Sequence, residues 1–505
     1  MTPSCPLARE APWLAVVALA VVAVQVLAHE APGFPFGSDW GQYLQGADAL
    51  WRGDRGAPYP SWRGPLYMLL LGGIGQKLGY VVAGRLVSRL AAAVCVIAAG
   101  LAGRALAGRT VAAAAALLAA GFIPLQVAAL WVNPYATMGA TWGLAIAAGV
   151  ATARWGRPWM AAAAGVAAAA AVATDPRGWL MVPLVLGLGV MAPDRPRWRA
   201  PAVLAAALAL GLGTNAFFQR DLPHTPLSEA IRAQHVLSGE MVGIKTGPEH
   251  PLTACLSEDS AQGGMVTSWA CARQLAAWNL ERAVPRGHLP VPWALLALPL
   301  ALLPVGWGRR RAMSAALAIA APLATLLAGL AWVEWAPRYS APWTVPLALL
   351  GPAALAWLLA RGARPWRHAL LLAASAAWGL TVMPSLRGLH DPQAGLSGEA
   401  DLLAFAHWVD VEAGEGAAVF NCSQQPVDLL LLPRPTYARY QTAGEPAQCR
   451  AWAGETSPRA LFLTAHNPYT GACQGECAGI EPEALGWRPV TLPADAPPNV
   501  RAWRR

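Results

Sequence analysis

Long apolar runs, separated by short breaks that carry arginines, make up most of this chain. The first covers residues 13–28 and is followed by a polar stretch. Further runs lie at 65–79, 84–103, 110–124, 135–152, 158–173, 178–192 and 200–218, and again near 290–306, 312–332, 341–360 and 367–384. Such runs read as membrane helices, since about 20 apolar residues cross the hydrocarbon core. The run 65–79 is the exception. It is short, contains four glycines and carries Lys77 near its end, so it reads as a juxtamembrane or re-entrant helix that does not cross.

The arginines orient the runs. Arg9 and the amino terminus precede the first run, which therefore leaves the cytoplasm and delivers the polar stretch after it to the outer side. Val26 and Ala28 would also suit a signal-peptide cleavage site, and that reading leaves the same stretch outside. With 65–79 not crossing, five clusters fall inside: Arg104/Arg109, Arg154/Arg157, Arg195/Arg197/Arg199, Arg309/Arg310/Arg311 and Arg361/Arg364/Arg367. A crossing at 65–79 would put every one of them on the wrong side. The pattern predicts a polytopic α-helical membrane protein of about eleven transmembrane helices, amino terminus in and carboxyl terminus out. A transmembrane domain 1–385 then carries a first outer loop, 29–83, and a long outer loop, 219–289. Residues 386–505 form a soluble outer domain.

That tail has helical periodicity at 400–410, strand-like stretches at 417–420 and 460–464 and a leucine run at 429–432, which together read as a small α/β domain. Cys255 and Cys271 share the long loop, while Cys422, Cys449, Cys473 and Cys477 share the tail. Even numbers in an outer compartment suggest disulfides. Cys255–Cys271 is the natural pair; four tail cysteines allow three connectivities, of which Cys422–Cys449 with Cys473–Cys477 is the one to expect. No histidines stand at zinc-ligand spacing beside them. Cys5 and Cys95 are expected as free thiols.

Composition agrees with the membrane reading: of 505 residues 56% are hydrophobic and 13% charged, with mean hydropathy +0.38. The net charge of +9 resides in the short clusters between runs, not in a basic stripe, so nucleic acid is not a partner. No P-loop, dinucleotide fingerprint, nucleophile elbow or H-E-x-x-H motif is present, which removes support for ATP-driven, redox and zinc-protease chemistry.

Carboxylates and arginines remain, and they concentrate in Phe36–Tyr67. Ser38 suits a helix cap, and Asp39 in the first turn would stay ionised beside free backbone N–H groups. Tyr43, Ala47 and Leu50 share the helical face of Asp39, while Asp48 turns about 180° away. The helix ends near Gly53, and Pro58, Pro60 and Pro65 hold the following chain extended, with Trp62 and Arg63 just before the next run. An ionised acid can act as general base toward a hydroxyl. A guanidinium can bind a phosphate bidentately. Arg63, Arg177 and Arg338 are the outer cations beside segment ends. For Arg177 the plainer expectation is an interfacial residue hydrating a helix end. Arg338 has more around it, since Glu334, Arg338 and Tyr339 stand among tryptophans and spaced prolines.

Three stretches in order resemble the GT-C membrane glycosyltransferases, which include protein O-mannosyltransferases and the lipid A aminoarabinose transferase. They are Asp39 followed by Tyr43 and Ala47, a Pro65-Leu66-Tyr67 segment ending at Lys77-Leu78-Gly79, and Arg338-Tyr339 with Pro342. The resemblance covers most of the membrane region and implies an inverting transfer of a sugar from a polyprenyl-phosphate carrier to a hydroxyl of a lipid, glycan or protein. The reaction would take place on the periplasmic face of a bacterial inner membrane. It implies Asp39 as catalytic base, Arg63, Arg338 and Tyr339 as donor-phosphate residues and Tyr43, Tyr67 and Glu334 at the substrate site. The chain departs from the pattern where many relatives have Asp-Glu (here Asp39-Trp40) and Pro-Pro (here Gly64-Pro65), and Asn133-Pro134 lacks an acid that some members have nearby. No cofactor is therefore assigned, and a divalent metal site is doubtful. A transporter and a non-catalytic assembly protein of the same fold are the alternatives; the first would be expected to show internal repeats and midplane polar or broken helices, whereas no internal repeat is seen and the acids cluster at one surface.

A reporter active only outside the cytoplasm, fused after residue 385, should be active. Silence there would reverse the orientation.

Overall fold

The computed structural model describes residues 6–29, 40–53, 64–130, 132–193, 198–220, 252, 269–283, 313–332, 337–359, 399–422, 439–442, 446–454, 459–465, 480–494, 496 and 500–505. The expected runs 290–306 and 367–384 and the leucine run 429–432 lie outside them.

The apolar runs are helices. They are α1 Pro6–His29, α2 Trp40–Arg52, α3 Pro65–Leu78, α4 Tyr80–Ala107, α5 Arg109–Ala120, α6 Ile123–Leu130, α7 Tyr135–Trp155, α8 Pro158–Thr174, α9 Met181–Val190 and α10 Arg199–Gln219. Further along come α11 Trp269–Ala283, α12 Ala321–Trp332 and α13 Thr344–Leu359. Among the described residues four helices are long and apolar enough to cross a membrane: Tyr80–Ala107, Tyr135–Trp155, Arg199–Gln219 and Met313–Leu330. The last begins in a π-turn, Ala316–Ala320. α3, with 14 residues, is shorter than any of them.

Two expectations need correction. The sequence reads 110–124 as one segment, whereas α5 and α6 bend by 54° at the Gly121–Phe122 break and count as one span only if taken together. It reads 219–289 as a loop, yet α11 lies there and packs on α12, where the Asn279 side-chain amide donates to the Leu330 carbonyl at 2.7 Å. A polar amide on an otherwise weakly apolar helix finds there a carbonyl of the neighbouring span.

Lipid offers no hydrophobic drive between spans, so close approach by small residues holds such bundles together. α8, rich in alanine, packs between α7 and α10, and a Cβ on Gly165 would come within 2.5 Å of the Leu204 carbonyl oxygen of α10. α4 lies against α5 and α7 in the same cluster, lined by alanines of all three helices. At one end Glu10 of α1 accepts from Arg104 at 3.0 Å and from Arg109 at 2.6 Å, so the first two arginine-bearing ends stand beside the start of α1. The opposite end carries α2, α3, the start of α4 and the α8–α9 turn.

The tail forms the expected α/β unit, with more strands than its sequence displays. Helix α14 Glu399–Ala413 precedes β1 Ala418–Cys422; β2 Arg439–Thr442, α15 Pro446–Ala453, β3 Ala460–Ala465, β4 Arg488–Val490 and β5 Val500–Arg504 follow. The sheet order is β2-β1-β3-β5-β4. β1 pairs parallel with β2 and β3, and β5 pairs antiparallel with β3 and β4. One face, with Phe420, Phe462 and Trp503, packs under α15 and Trp487. On that side the Trp503 indole donates to Glu483 at 2.8 Å and holds its carboxyl below the usual range. The other face, with Val419, Leu461 and Leu463, packs on Phe405, Ala406 and Val409 of α14, and these belong to one continuous buried cluster with Tyr43, Leu44, Tyr67 and Leu71 of α2 and α3. The C-terminal sheet unit therefore shares its core with the α2 end of the bundle. Cys271 and Cys422 are each disulfide-bonded, and the expected partners fall outside the described side chains. Cys95 is a free, buried thiol, as expected.

Enlarging the α8–α10 contact tests the small-residue packing. Gly165→Val should destabilise the protein by about 1–3 kcal/mol, the usual range for overpacking, read as a lower temperature of aggregation in detergent. Val166→Ala, at an exposed position beside it, should leave that temperature unchanged.

Candidate functional site

The polar groups of the α2 end come together from four places in the chain. Asp39, Arg63 and Glu334 lie outside the described residues, as does the side chain of Arg338, whose backbone belongs to the 3-10 turn Pro337–Trp343. The others can be placed.

Tyr43 of α2 and Tyr67 of α3 meet edge to face, ring centroids 5.8 Å apart, and both are buried. Ala47 is buried beside them and Leu50 lies partly buried against the same cluster, so the helical face read from the sequence is the packed one. The crossing is tight: a Cβ on Gly72 of α3 would sit 2.7 Å from the Ala47 carbonyl oxygen. Gly53, at φ 74°, ends α2 in the left-handed region, where glycine is free of the Cβ clash.

Asp48, which helical spacing puts on the side away from Asp39, is engaged by its neighbours. Its Oδ1 accepts the Tyr80 hydroxyl at 2.6 Å, the Gln76 amide at 3.2 Å and Arg52 Nε at 3.1 Å, and its side chain is 15% exposed. One carboxylate thus ties α2 to the end of α3 and the start of α4. What helical spacing could not supply is Tyr80, 32 residues away.

The α8–α9 turn supplies the second acid. Asp175 is 2% exposed and caps the 3-10 turn Pro176–Leu180, accepting the Arg177 backbone N–H at 3.0 Å. The Arg177 side chain returns to the same carboxylate, with Nε 2.7 Å from Oδ1 and Nη2 3.0 Å from Oδ2. This is a bidentate pair, the strongest form of the interaction. The guanidinium also stands 5.6 Å from the Tyr135 ring centroid and 3.7 Å from the Met138 sulfur. Arg177 is therefore a fixed residue and not one that merely hydrates a helix end.

Tyr135, in turn, lies 5.3 Å from Tyr339, so the segment of the expected Arg-Tyr pair reaches the same turn. One step deeper Trp142 meets Trp343 at 5.2 Å, and the Trp343 indole donates to the Pro322 carbonyl. The first outer stretch reaches it too. The Gly64 amide donates to the Thr174 carbonyl at 3.2 Å, and a Cβ on Gly64 would stand 2.1 Å from the Ala173 oxygen. Glycine at this position is thus required by the approach of α8, whose carbonyl a proline could not meet with an N–H.

Asn133 stands before α7, its Oδ1 accepting the Tyr135 N–H at 2.9 Å while Nδ2 is buried without a partner. Thr137 Oγ1, one turn on, is likewise buried and unpartnered. Sequence reasoning passed over Asp175, Tyr135 and Met138. The signal was present in Thr174-Asp175-Pro176-Arg177, an N-cap acid followed by proline at the first helical position. Among the described residues no three His, Cys, Asp or Glu side chains cluster to hold a metal ion. Asp48 and Asp175 are each engaged by donors, and the α6–α7 turn offers an amide; this donor set does not fit a divalent cation.

The fold is one that solved structures of known proteins share. Two solved structures of ArnT from Cupriavidus metallidurans share it over 97% of each chain: the form bound to undecaprenyl phosphate, with TM-score 0.60 and 15% identity, and the apo form, with TM-score 0.61 and 14% identity. The apo oligosaccharyltransferase of Archaeoglobus fulgidus matches with TM-score 0.54 and 13% identity over 90% of this chain and 70% of its own. No family profile matches the chain, and no curated protein sequence does.

The Asp48 junction is open to a double-mutant cycle. Asp48→Asn and Tyr80→Phe should each lower stability by about 1.5–3 kcal/mol, the range for hydrogen bonds to charged groups. The double variant should lose less than the sum. Full additivity of the two losses in thermal unfolding would show that the contact contributes nothing.

Proposed function

We propose that the protein transfers a sugar from a polyprenyl-phosphate carrier to an acceptor hydroxyl. The reaction takes place on the outer face of a bacterial inner membrane. The observation that carries this reading is the likeness over 97% of both chains to a structure bound to undecaprenyl phosphate. The gathering of Gly64, Tyr135, Arg177 and Tyr339 at one end of the bundle supports it, because the predicted residues adjoin that end in sequence: Arg63 precedes Gly64 and Arg338 precedes Tyr339.

In this reading Asp39, next to the start of α2, takes the proton of the acceptor hydroxyl. The acceptor oxygen attacks the anomeric carbon from the face opposite the phosphate, the carbon–oxygen bond to phosphate breaks, and the electron pair leaves on the phosphate. Configuration inverts. Arg63, Arg338 and Tyr339 meet the charge that gathers on the leaving phosphate, and Tyr43, Tyr67 and Glu334 shape the substrate side. The membrane domain is 1–385, with about eleven spans and the amino terminus inside, and the soluble domain 386–505 stands outside. The acceptor is a lipid, a glycan or a protein.

The test is sugar transfer from a polyprenyl-phosphate donor in proteoliposomes. Asp39→Asn keeps the shape but cannot accept a proton, and it should lower the rate by about 10²–10⁴-fold at unchanged thermal stability. Arg338→Lys keeps the charge without the fork and should raise the donor KM. Wild-type turnover by Asp39→Asn would remove the base from this assignment.

A further inference from the structure

The Asp175–Arg177 pair is more than a helix cap. A cap needs only the carboxylate oxygen that receives the Arg177 backbone N–H. Here the side chain of the same residue folds back as well, and its guanidinium is fixed by both Asp175 oxygens, the Met138 sulfur and the Tyr135 ring. The carboxylate is 2% exposed while the Arg177 side chain is 35% exposed, so the acid is the buried anchor and the cation its accessible partner. Two residues before Tyr135, the Asn133 amide is buried at 4% exposure with its Nδ2 donor unpartnered, in a part of the fold where an unmet donor is costly. The acceptor oxygen of the same amide is spent on the Tyr135 N–H, which fixes the side chain as a donor. One accessible cation and one orphaned N–H donor, joined through Tyr135, suit a ligand group that only accepts: a phosphate oxyanion.

We propose that Arg177 and Asn133 form an oxyanion subsite for a phosphate ester at the α2 end, with Asp175 as the residue that positions Arg177. The proposal rests on the lipid-linked reading above and adds to it a guanidinium from the α8–α9 turn, outside the motifs that carry the resemblance. The same chemistry would meet a phosphate on a lipid carrier or on a soluble sugar phosphate.

Binding to the full-length protein in detergent separates these sources. The probes are undecaprenyl phosphate, undecaprenol without phosphate, and glucose 1-phosphate. Wild type should bind undecaprenyl phosphate at least tenfold more tightly than undecaprenol. Arg177→Gln should abolish that preference and Arg177→Lys should retain part of it, since a lysine keeps the charge but not the fork. Asp175→Asn keeps the capping oxygen and should weaken undecaprenyl phosphate severalfold without changing the affinity for undecaprenol, an asymmetry that a loss of fold would not produce. Asn133→Leu should reduce the preference as well. Should glucose 1-phosphate bind and depend on Arg177 while the lipid shows no preference, the subsite stands and its ligand is the soluble ester. If wild type prefers undecaprenyl phosphate and Arg177→Gln keeps the whole preference, the subsite is wrong and the lipid-linked reading survives. Absence of any phosphate preference in wild type, for the lipid and the soluble ester alike, would overturn both.

Discussion

The hydrogen bond from the Gly64 amide to the Thr174 carbonyl joins the first polar stretch of the chain to the end of α8, at a separation that leaves no room for a side chain. Both partners are backbone groups, so the contact is set by chain path and not by a rotamer. Asp175 follows Thr174 directly in the chain. α3 starts one residue after Gly64, and α2 is locked to α3 through the Gly72 crossing and the Asp48 junction. The position of α2 relative to the α8–α9 turn is thus fixed by three short-range contacts that share little flexible chain.

The rest of the bundle permits this through small side chains. Between spans the gain comes from close packing and from meeting buried polar groups, since lipid is as apolar as leucine. Alanine and glycine let the α8 and α10 backbones approach to where a Cβ would collide. Without large interlocking side chains such contacts are shallow, and polar ties fix the rotation and depth of each helix. Glu10 does this at one end by holding Arg104 and Arg109 together, and Asp48 does it at the other. The C-terminal sheet unit continues the second of these ends, as its α14 side shares a core with α2 and α3.

What the sequence disclosed follows from which interactions are local. The helices from 80 to 219 begin and end within a few residues of the apolar runs, because charges and glycines mark where each leaves the apolar medium. The bend between α5 and α6 was not legible, since an alanine-rich run gives the same hydropathy straight or broken. Strands β2 and β4 are short, and β4 contains Pro489, which lowers its strand signal. β5 buries Val500 and Ala502 on one face and Trp503 on the other, so it shows no clean alternation, and it becomes a strand by pairing with β3 some forty residues earlier. The site divides in the same way. The packed face of α2 was legible from spacing alone, whereas the partners of Asp48, the Tyr135–Tyr339 contact and the return of Arg177 to Asp175 are tertiary facts.

An arginine already paired with a carboxylate attracts a phosphate less than a lone one, because the pair is close to neutral. At a membrane boundary, though, a lone arginine is not idle. Its long side chain reaches toward the headgroups and the water, and any ligand must first draw it into one rotamer out of many. Asp175 removes that freedom at the moment of folding, and Tyr135 holds the plane of the guanidinium. The cost of ordering is then met within the fold and does not fall on ligand binding. Burial of the carboxylate strengthens this, since an ionised acid at 2% exposure is tolerable only while its cation stays in place. The pair gives up some attraction and gains a fixed direction, which matters more where charge builds up on one oxygen of a leaving group than where a ligand merely has to be captured.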